Sequence, residues 1–141
     1  MKIFLAVITV LALISSSSAI TYNRCSLVRA MRNIGVPFDQ LARWACIAER
    51  ESSYRTFVVG PPNSDGSRDY GIFQINDRYW CQPPSGRFSS NGCRINCNAL
   101  LGDDIRPSMN CVQQILRQQG WGAWSVWRFC SGNLPSVNNC F

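Results

Sequence analysis

The chain has 141 residues with 14 basic and eight acidic side chains, a formal net charge of +6 and no histidine. Without histidine, a Ser-His-Asp or Cys-His catalytic site is excluded, and acid–base chemistry below neutral pH must use carboxylates. The arginines are spread along the sequence rather than clustered, which argues against a nucleic-acid-binding surface.

Residues 1–19 have the pattern of a signal peptide. Lys2 precedes an apolar run from Ile3 to Ile14, and Ser17 and Ala19 fit the −3 and −1 positions of a cleavage site. The run is shorter than the roughly 20 residues that cross a bilayer, and no other segment is apolar enough to do so. We therefore predict a cleaved signal peptide and a secreted, extracellular protein without a membrane span.

Residues 20–141 have the length of one domain and contain all eight cysteines. An even number of cysteines behind a signal peptide indicates four disulfides, although the sequence alone allows 105 pairings. Cys93 and Cys97 have a spacing that zinc ligands can have, but the absence of histidine and an oxidising compartment argue against zinc. We expect no metal and no cofactor.

Without Lys2, the remaining 13 arginines and eight acidic residues give a charge of +5. This charge has two explanations. The arginines either form an ordinary solvated surface or attract a polyanionic partner such as a bacterial envelope. Salt would weaken such an attraction.

Hydrophobic spacing predicts two helices in the first half of the chain. Leu27 and Met31 recur at helical spacing over residues 24–34. A second helix covers residues 39–52, with Asp39 as its N-cap.

Glu51 shares the apolar face of the second helix with Trp44, Ile47 and Ala48, whereas Glu49 lies about 200° of helical rotation away. Burial among apolar side chains and the negative end of the helix dipole both raise the pKa of a carboxyl group. We therefore predict that Glu51 stays protonated and can donate a proton.

Turn residues replace the helical pattern after the second helix and lead into a predicted strand over residues 70–75. Asp69, between Arg68 and Tyr70, lies in a polar region where hydrogen bonds keep a carboxylate ionised. Asp65 is assigned a local turn role. A proton donor beside an ionised carboxylate is the arrangement of a glycosidase. The alternative is that both carboxylates are structural, with Glu51 reaching solvent from a helix end and Asp69 capping a turn.

Residues 79–98 are rich in Pro, Gly, Ser, Asn and Cys and predict a loop region held by disulfides. A third helix is expected from near Asp104 to Gly120. Tryptophans at positions 121, 124 and 127 then predict a short helix whose rings favour a core role over a ligand platform. Together these elements predict an α+β domain, with a helical lobe, a β-rich lobe at about 58–98 and a cleft between them.

Four segments stand out beside the cysteine spacing: CIAERES at 46–52, SDGSRDYGIFQIN at 64–76, CNALL at 97–101 and AWSVW at 123–127. Together with the cysteine spacing, they resemble chicken-type (c-type) lysozymes of the insect branch over essentially all of residues 20–141. The resemblance implies a two-lobed lysozyme fold. It also implies a muramidase that cleaves the β-1,4 bond between N-acetylmuramic acid and N-acetylglucosamine in bacterial peptidoglycan.

The resemblance implies that Glu51 is the general acid and base, that Asp69 is the nucleophile or electrostatic stabiliser, and that Trp124 is the apolar wall beside Glu51. It implies five substrate-binding residues: Gln74, Asn76, Tyr79, Trp80 and Trp124. For Gln74 and Asn76, hydrogen bonding at a strand edge is an equal alternative. The implied disulfides are Cys25–Cys140, Cys46–Cys130, Cys81–Cys97 and Cys93–Cys111, and we expect a monomer.

Three departures from the family pattern limit what the resemblance implies. Tyr79 stands where vertebrate members often carry tryptophan, so the strength of sugar stacking there is open. The span between Cys111 and Cys130 is shorter than in vertebrate members, so that part of the cleft rim is not carried over. Calcium-binding members use a cluster of aspartates after the CNALL-like segment, and here only Asp103 and Asp104 are present, so we expect no calcium site.

Two alternatives on the same fold are a non-catalytic sugar-binding protein and a cationic antimicrobial protein that kills without hydrolysis. The first predicts the loss of one or both carboxylates, and both are present. Defence and digestion of bacteria are both open as roles. The basic charge favours defence, while the absence of lysine after residue 2 suits a protease-rich gut.

Overall fold

A computed structural model of the chain describes residues 19–141. Apart from Ala19, the predicted signal peptide lies outside the described residues. Over residues 19–141, no helix is both long and apolar enough to cross a membrane.

The helices of the described residues form most of the fold: α1 Arg24–Asn33, α2 Leu41–Ser52, α3 Arg106–Gln119 and α4 Trp127–Cys130. Short 3-10 turns lie at Phe38–Gln40, Cys97–Leu100, Trp121–Ala123 and Asn138–Cys140. The core draws on α1, α2 and α3 as well as on the loop segments, and it includes Leu27, Met31, Trp44, Ile47, Phe73, Met109 and Val112.

The start of α2 differs from the prediction. Asp39 is not its N-cap, because the chain leaves Pro37 in a 3-10 turn that contains Asp39 and delays the helix until Leu41. Gln40 is the N-cap residue and makes no side-chain cap bond. Its side chain instead accepts a hydrogen bond of 3.0 Å from the indole nitrogen of Trp44.

The predicted single strand over residues 70–75 is wrong, because the chain reverses within it. Strand β1 (Asp69–Tyr70) pairs antiparallel with β2 (Ile75–Asn76), so that Asp69 lies opposite Asn76. Gly71 begins the turn with φ +79°, and a Cβ there would lie 2.3 Å from the carbonyl oxygen of Leu100. Only glycine fits both the backbone conformation and the space, and the apolar composition of the run did not reveal this.

The predicted helix through the three tryptophans is also wrong. A 3-10 turn ends at Ala123, and Trp124 is extended, with φ −99° and ψ 122°, before α4 begins. This break turns the Trp124 indole edge-on to Trp44, with ring centroids 5.0 Å apart and planes at 88°. Trp121 and Trp127 stack on each other at 5.1 Å. The packing of these rings, rather than local helix propensity, therefore determines the backbone conformation of this segment.

All eight cysteines are paired, as Cys25–Cys140, Cys46–Cys130, Cys81–Cys97 and Cys93–Cys111. These are the pairs that the resemblance implies. The first two join α1 to the last turn and α2 to α4, and the fourth joins the loop region to α3. The α+β fold class, with helices, a small antiparallel sheet and four disulfides, is confirmed.

Candidate active site

A cleft of about 210 Å³ contains both predicted catalytic carboxylates. Six of the seven predicted site residues line it: Glu51, Asp69, Gln74, Asn76, Trp80 and Trp124. The last turn of α2 supplies Glu51, and the paired strands supply Asp69 and Asn76 on the facing wall. The cleft thus lies between the end of a helix and a β-hairpin.

The end of α2 fixes the direction of Glu51. The helix stops at Ser53, whose left-handed conformation (φ 53°) turns the chain away. The buried Ser52 hydroxyl lies 2.8 Å from the carbonyl oxygen of Ile72 and 3.0 Å from that of Ala48. The last turn of α2 is therefore held against the turn that joins β1 to β2.

Burial, followed by the negative charge of Asp69, raises the pKa of Glu51 to about 7. The indole of Trp124 is buried in the wall of the same cleft. Glu49, by contrast, is exposed and accepts a hydrogen bond of 2.8 Å from the Tyr54 hydroxyl. The two glutamates therefore meet the different environments that helical rotation predicts, and Glu51 carries a proton up to about neutral pH.

Asp69 lies in a polar network. Its two carboxylate oxygens accept hydrogen bonds from the side-chain amides of Asn76, at 3.0 Å, and Asn63, at 3.2 Å. Both amides also donate to the hydroxyl of Ser67, at 2.9 and 3.1 Å. Two N–H groups thus point at the carboxylate, which is a suitable environment for an anion.

Asp65 has the predicted local turn role, because its Oδ1 atom accepts hydrogen bonds from the Ser67 hydroxyl, at 2.6 Å, and from the Ser67 amide, at 2.9 Å. Its Oδ2 atom pairs with Arg78 at 3.1 Å. The Ser67 bonds, followed by the Arg78 contact, lower the pKa of Asp65 to about 2. Through Ser67, this turn also supports the amides that hold Asp69, a link that the sequence did not reveal.

Gln74 and Tyr79 differ from the remaining predicted binding residues. The Gln74 amide nitrogen donates to the carbonyls of Gly71, at 2.9 Å, and Val58, at 3.2 Å. Its N–H groups are therefore hydrogen-bonded to the backbone. Tyr79 does not line the cleft. The residue is 51% exposed, and the Arg78 guanidinium carbon lies 5.4 Å from its ring centroid.

Several cleft residues were not predicted from the sequence: Ile75, Ile115, Gln119, Ala123 and Ser125. Four of them lie between Cys111 and Cys130: Ile115 and Gln119 in α3, and Ala123 and Ser125 beside Trp124. Ala123 and Ser125 flank the break in the helix at Trp124, which no residue pattern marked.

Across residues 19–141, no three Asp, Glu, His or Cys side chains come close enough together to hold a metal ion. Of the two aspartates considered for calcium, Asp104 pairs with Arg106 at 2.9 Å. Asp103 uses its carbonyl oxygen to accept a 3.3 Å hydrogen bond from Tyr22.

Comparison with known proteins agrees with this geometry. The model of the C-type lysozyme/alpha-lactalbumin family matches residues 20–140. Lysozyme B of Drosophila melanogaster is 64% identical and Lysozyme 1 of Musca domestica 57% identical, each over 141 residues and the full length of both chains. The structure of recombinant canine milk lysozyme (apo-type) superposes with a TM-score of 0.75 at 36% identity, covering 80% of this chain and 91% of that one. The resemblance to insect lysozymes is thereby confirmed, and the chain belongs to the C-type lysozyme/alpha-lactalbumin family.

Proposed function

We propose that the protein is a secreted muramidase that hydrolyses the β-1,4 bond between N-acetylmuramic acid and N-acetylglucosamine in bacterial peptidoglycan. One observation carries the proposal: Glu51 and Asp69 line the same cleft, and burial raises the pKa of Glu51 to about 7. A protonated carboxyl and a hydrogen-bonded carboxylate in one cleft are the two groups that glycoside hydrolysis requires.

The reaction scheme follows the one established for lysozymes as a class. Glu51 donates its proton to the glycosidic oxygen, and the bond from that oxygen to the sugar carbon breaks. Asp69 stabilises the positive charge at that carbon or forms a bond to it. Glu51, now a carboxylate, accepts a proton from the water that attacks the same carbon, which restores both groups.

The cleft lining suits a sugar chain. Trp80 and Trp124 offer aromatic faces against which the C–H faces of pyranose rings can pack, and Asn76 and Gln119 offer amide groups for the hydroxyl and acetamido groups. Tyr79, outside the cleft lining, is assigned to the rim, where its exposed ring can contact a longer glycan.

Four disulfides support an extracellular location, because such bonds persist in oxidising compartments. Processing after Ala19 would make Ile20 the first residue. The Ile20 nitrogen lies 3.1 Å from the hydroxyl of the buried Thr56 and so has a partner in the folded protein. Mass spectrometry of the secreted protein tests this cleavage site, and a mature chain that starts elsewhere contradicts it. Defence and digestion of bacteria are both compatible with this activity.

Glu51→Gln tests the function against the non-catalytic alternatives. The variant keeps the charge pattern of a cationic protein almost intact but cannot donate the proton. We expect clearing of a bacterial wall suspension to fall at least a hundredfold, since a general acid contributes about 10²- to 10⁴-fold. Glu49→Gln, which changes an exposed glutamate on the same helix, should retain activity. Clearing that survives Glu51→Gln but not removal of positive charge would favour the cationic antimicrobial alternative.

A further inference from the structure

Two arginine side chains lie over the ring of Phe129, at the surface between α2 and α4. The guanidinium carbon of Arg50 lies 4.4 Å from the ring centroid and that of Arg128 lies 4.6 Å from it. Both arginines are exposed, and Phe129 is 47% exposed. These three residues form what we call the Phe129 patch. The Cys46–Cys130 disulfide joins the two helices that supply these residues.

The Phe129 patch is separate from the cleft. The surface hollow that contains Arg50 and Phe129 shares no lining residue with the cleft that contains Glu51 and Asp69. Arg50 precedes Glu51 in α2, but successive helical residues are rotated by about 100°, which carries the two side chains to different faces.

Neither arginine of the patch forms an ion pair with a carboxylate among the described residues. The ion pairs within residues 19–141 are Arg78–Asp65 and Arg106–Asp104. Glu49 lines the same hollow as Arg50 and Phe129, but its carboxylate accepts a hydrogen bond of 2.8 Å from the Tyr54 hydroxyl and forms no ion pair in this part of the chain. Two guanidinium groups are thus available to an anionic partner.

The arrangement favours a partner with closely repeated phosphates. A guanidinium that lies over an aromatic ring keeps N–H groups at its edge, and these groups match phosphate oxygens in pairs. Because the two guanidinium carbons lie 4.4 and 4.6 Å from one centroid, they are at most about 9 Å apart. Neighbouring phosphates of one linear chain can therefore engage both.

We propose that the Phe129 patch binds a phosphodiester polymer attached to the bacterial wall and so holds the enzyme on its substrate. This inference rests on the proposed function for its biological partner. A lipid surface fits less well, because binding to a bilayer surface depends on burial of a broad apolar face, and the patch offers one phenyl ring between two charges.

The test compares two double variants of the full-length secreted protein that remove the same charge. Arg50→Gln/Arg128→Gln alters the patch, and Arg94→Gln/Arg117→Gln alters two exposed arginines that lie over no aromatic ring among the described residues. Binding to soluble poly(glycerol phosphate) is measured by calorimetry at low salt. We expect the Kd to rise roughly fivefold or more in the patch variant and less than twofold in the control, as for two exposed charge contacts.

A third variant, Arg50→Lys/Arg128→Lys, keeps the charge but removes the paired N–H groups, and we expect an intermediate Kd. It also keeps the test decisive if the glutamine variant unfolds. On bacterial walls that carry the polymer, the glutamine patch variant should hydrolyse more slowly than wild type. On walls stripped of the polymer, the two should be equal.

Three results would overturn the inference. Equal weakening in the patch and control variants would show that only net charge matters. Equal weakening toward polyglutamate would show that phosphate is not selected. Loss of binding to phosphatidylglycerol vesicles, with polymer binding unchanged, would assign the patch to a lipid surface. The proposed function is tested separately, because a wild-type protein that binds the polymer but hydrolyses neither kind of wall refutes the muramidase assignment alone.

Discussion

The Ser52 hydroxyl lies 2.8 Å from the carbonyl oxygen of Ile72 and so joins the end of α2 to the turn between β1 and β2. Glu51 immediately precedes Ser52, and Asp69 lies three residues before Ile72. This one contact therefore connects the segments that carry the two carboxylates, and it controls their separation more directly than any disulfide does.

Ser52→Ala should reduce both activity and stability. The change leaves the Ile72 carbonyl without this partner in a buried place, which costs about 1–3 kcal/mol in the free energy of unfolding. If the contact positions Glu51, kcat on bacterial walls should fall about tenfold, while KM changes little. Ser90→Ala, at an exposed position, is the control. Lower stability with an unchanged kcat would restrict Ser52 to a structural role.

Activity should decline as the pH rises through about 7, because Glu51 then loses the proton that it must donate. The same shift affects stability. The folded pKa, about 7, exceeds the ordinary value of 4.5, so the folded protein holds this proton more tightly than the unfolded chain does. Stability from this group is complete below about pH 4.5 and is lost as the pH rises toward 7.

Glu51→Gln removes this titration, and its Tm relative to wild type should therefore rise between pH 4.5 and pH 7.5. Differential scanning calorimetry of both proteins across this range provides the measurement. Glu49→Gln, at an exposed carboxyl, should show no comparable trend. A Tm difference that stays constant with pH would mean that burial does not raise the pKa of Glu51.

Trp124→Ala should move the alkaline limb of the activity profile to lower pH. Removal of the indole admits water to the Glu51 carboxyl, so its pKa falls from about 7 toward 4.5. Trp124→Phe keeps an aromatic wall, loses the indole bond to the Phe73 carbonyl, and should shift the limb less. Activity on a bacterial wall suspension from pH 4 to 9 gives the position of the alkaline limb. An alkaline limb that stays in place in Trp124→Ala would assign the desolvation to other residues.

Asn76→Ala should lower kcat by about tenfold to a hundredfold, because a hydrogen bond to a charged group contributes about 1.5–3 kcal/mol. The variant removes the 3.0 Å bond to Asp69 and the link to Ser67 at once. Asn110→Ala, at an exposed position on α3, is the control. If KM alone rises in Asn76→Ala, the amide contacts substrate rather than supporting the carboxylate.

Gly71→Ala and Gly86→Ala separate the two costs of adding a methyl group, which are backbone strain and steric overlap. Both glycines have positive φ, at 79° and 76°, but only at Gly71 would the Cβ meet another atom, the Leu100 carbonyl oxygen. Gly86→Ala should cost about 1 kcal/mol of stability from backbone strain. Gly71→Ala should cost at least about 2 kcal/mol more, because the hairpin must shift. Equal losses in chemical denaturation would show that the turn accommodates the methyl group.

Local patterns were sufficient for Glu51, because helical rotation alone separates this half-buried glutamate from the exposed Glu49. They were insufficient where packing at a distance decides the backbone. The reversal at Gly71 depends on the approach of Leu100, and the extended conformation of Trp124 depends on its contact with Trp44. Both contacts join residues far apart in the sequence, so neither leaves a periodic signal.

The environment of Asp69 was predicted only in part. A polar turn indicated hydrogen bonds to its carboxylate, but the identity of the donors depends on the pairing of β1 with β2. That pairing brings Asn76 opposite Asp69, and the folding of the turn before β1 adds Asn63. The same turn places the Asp65 carboxylate in an ion pair with Arg78.

The Cys25–Cys140 disulfide closes a covalent ring that contains every residue of the cleft. A protease that cuts one peptide bond within this ring opens it but releases no fragment. At least two cuts are needed before any piece can diffuse away. For many pairs of cleavage sites, one of the other three disulfides still holds the excised piece to the rest of the protein. A molecule nicked once among digestive proteases therefore still carries Glu51 and Asp69 in a single covalent unit.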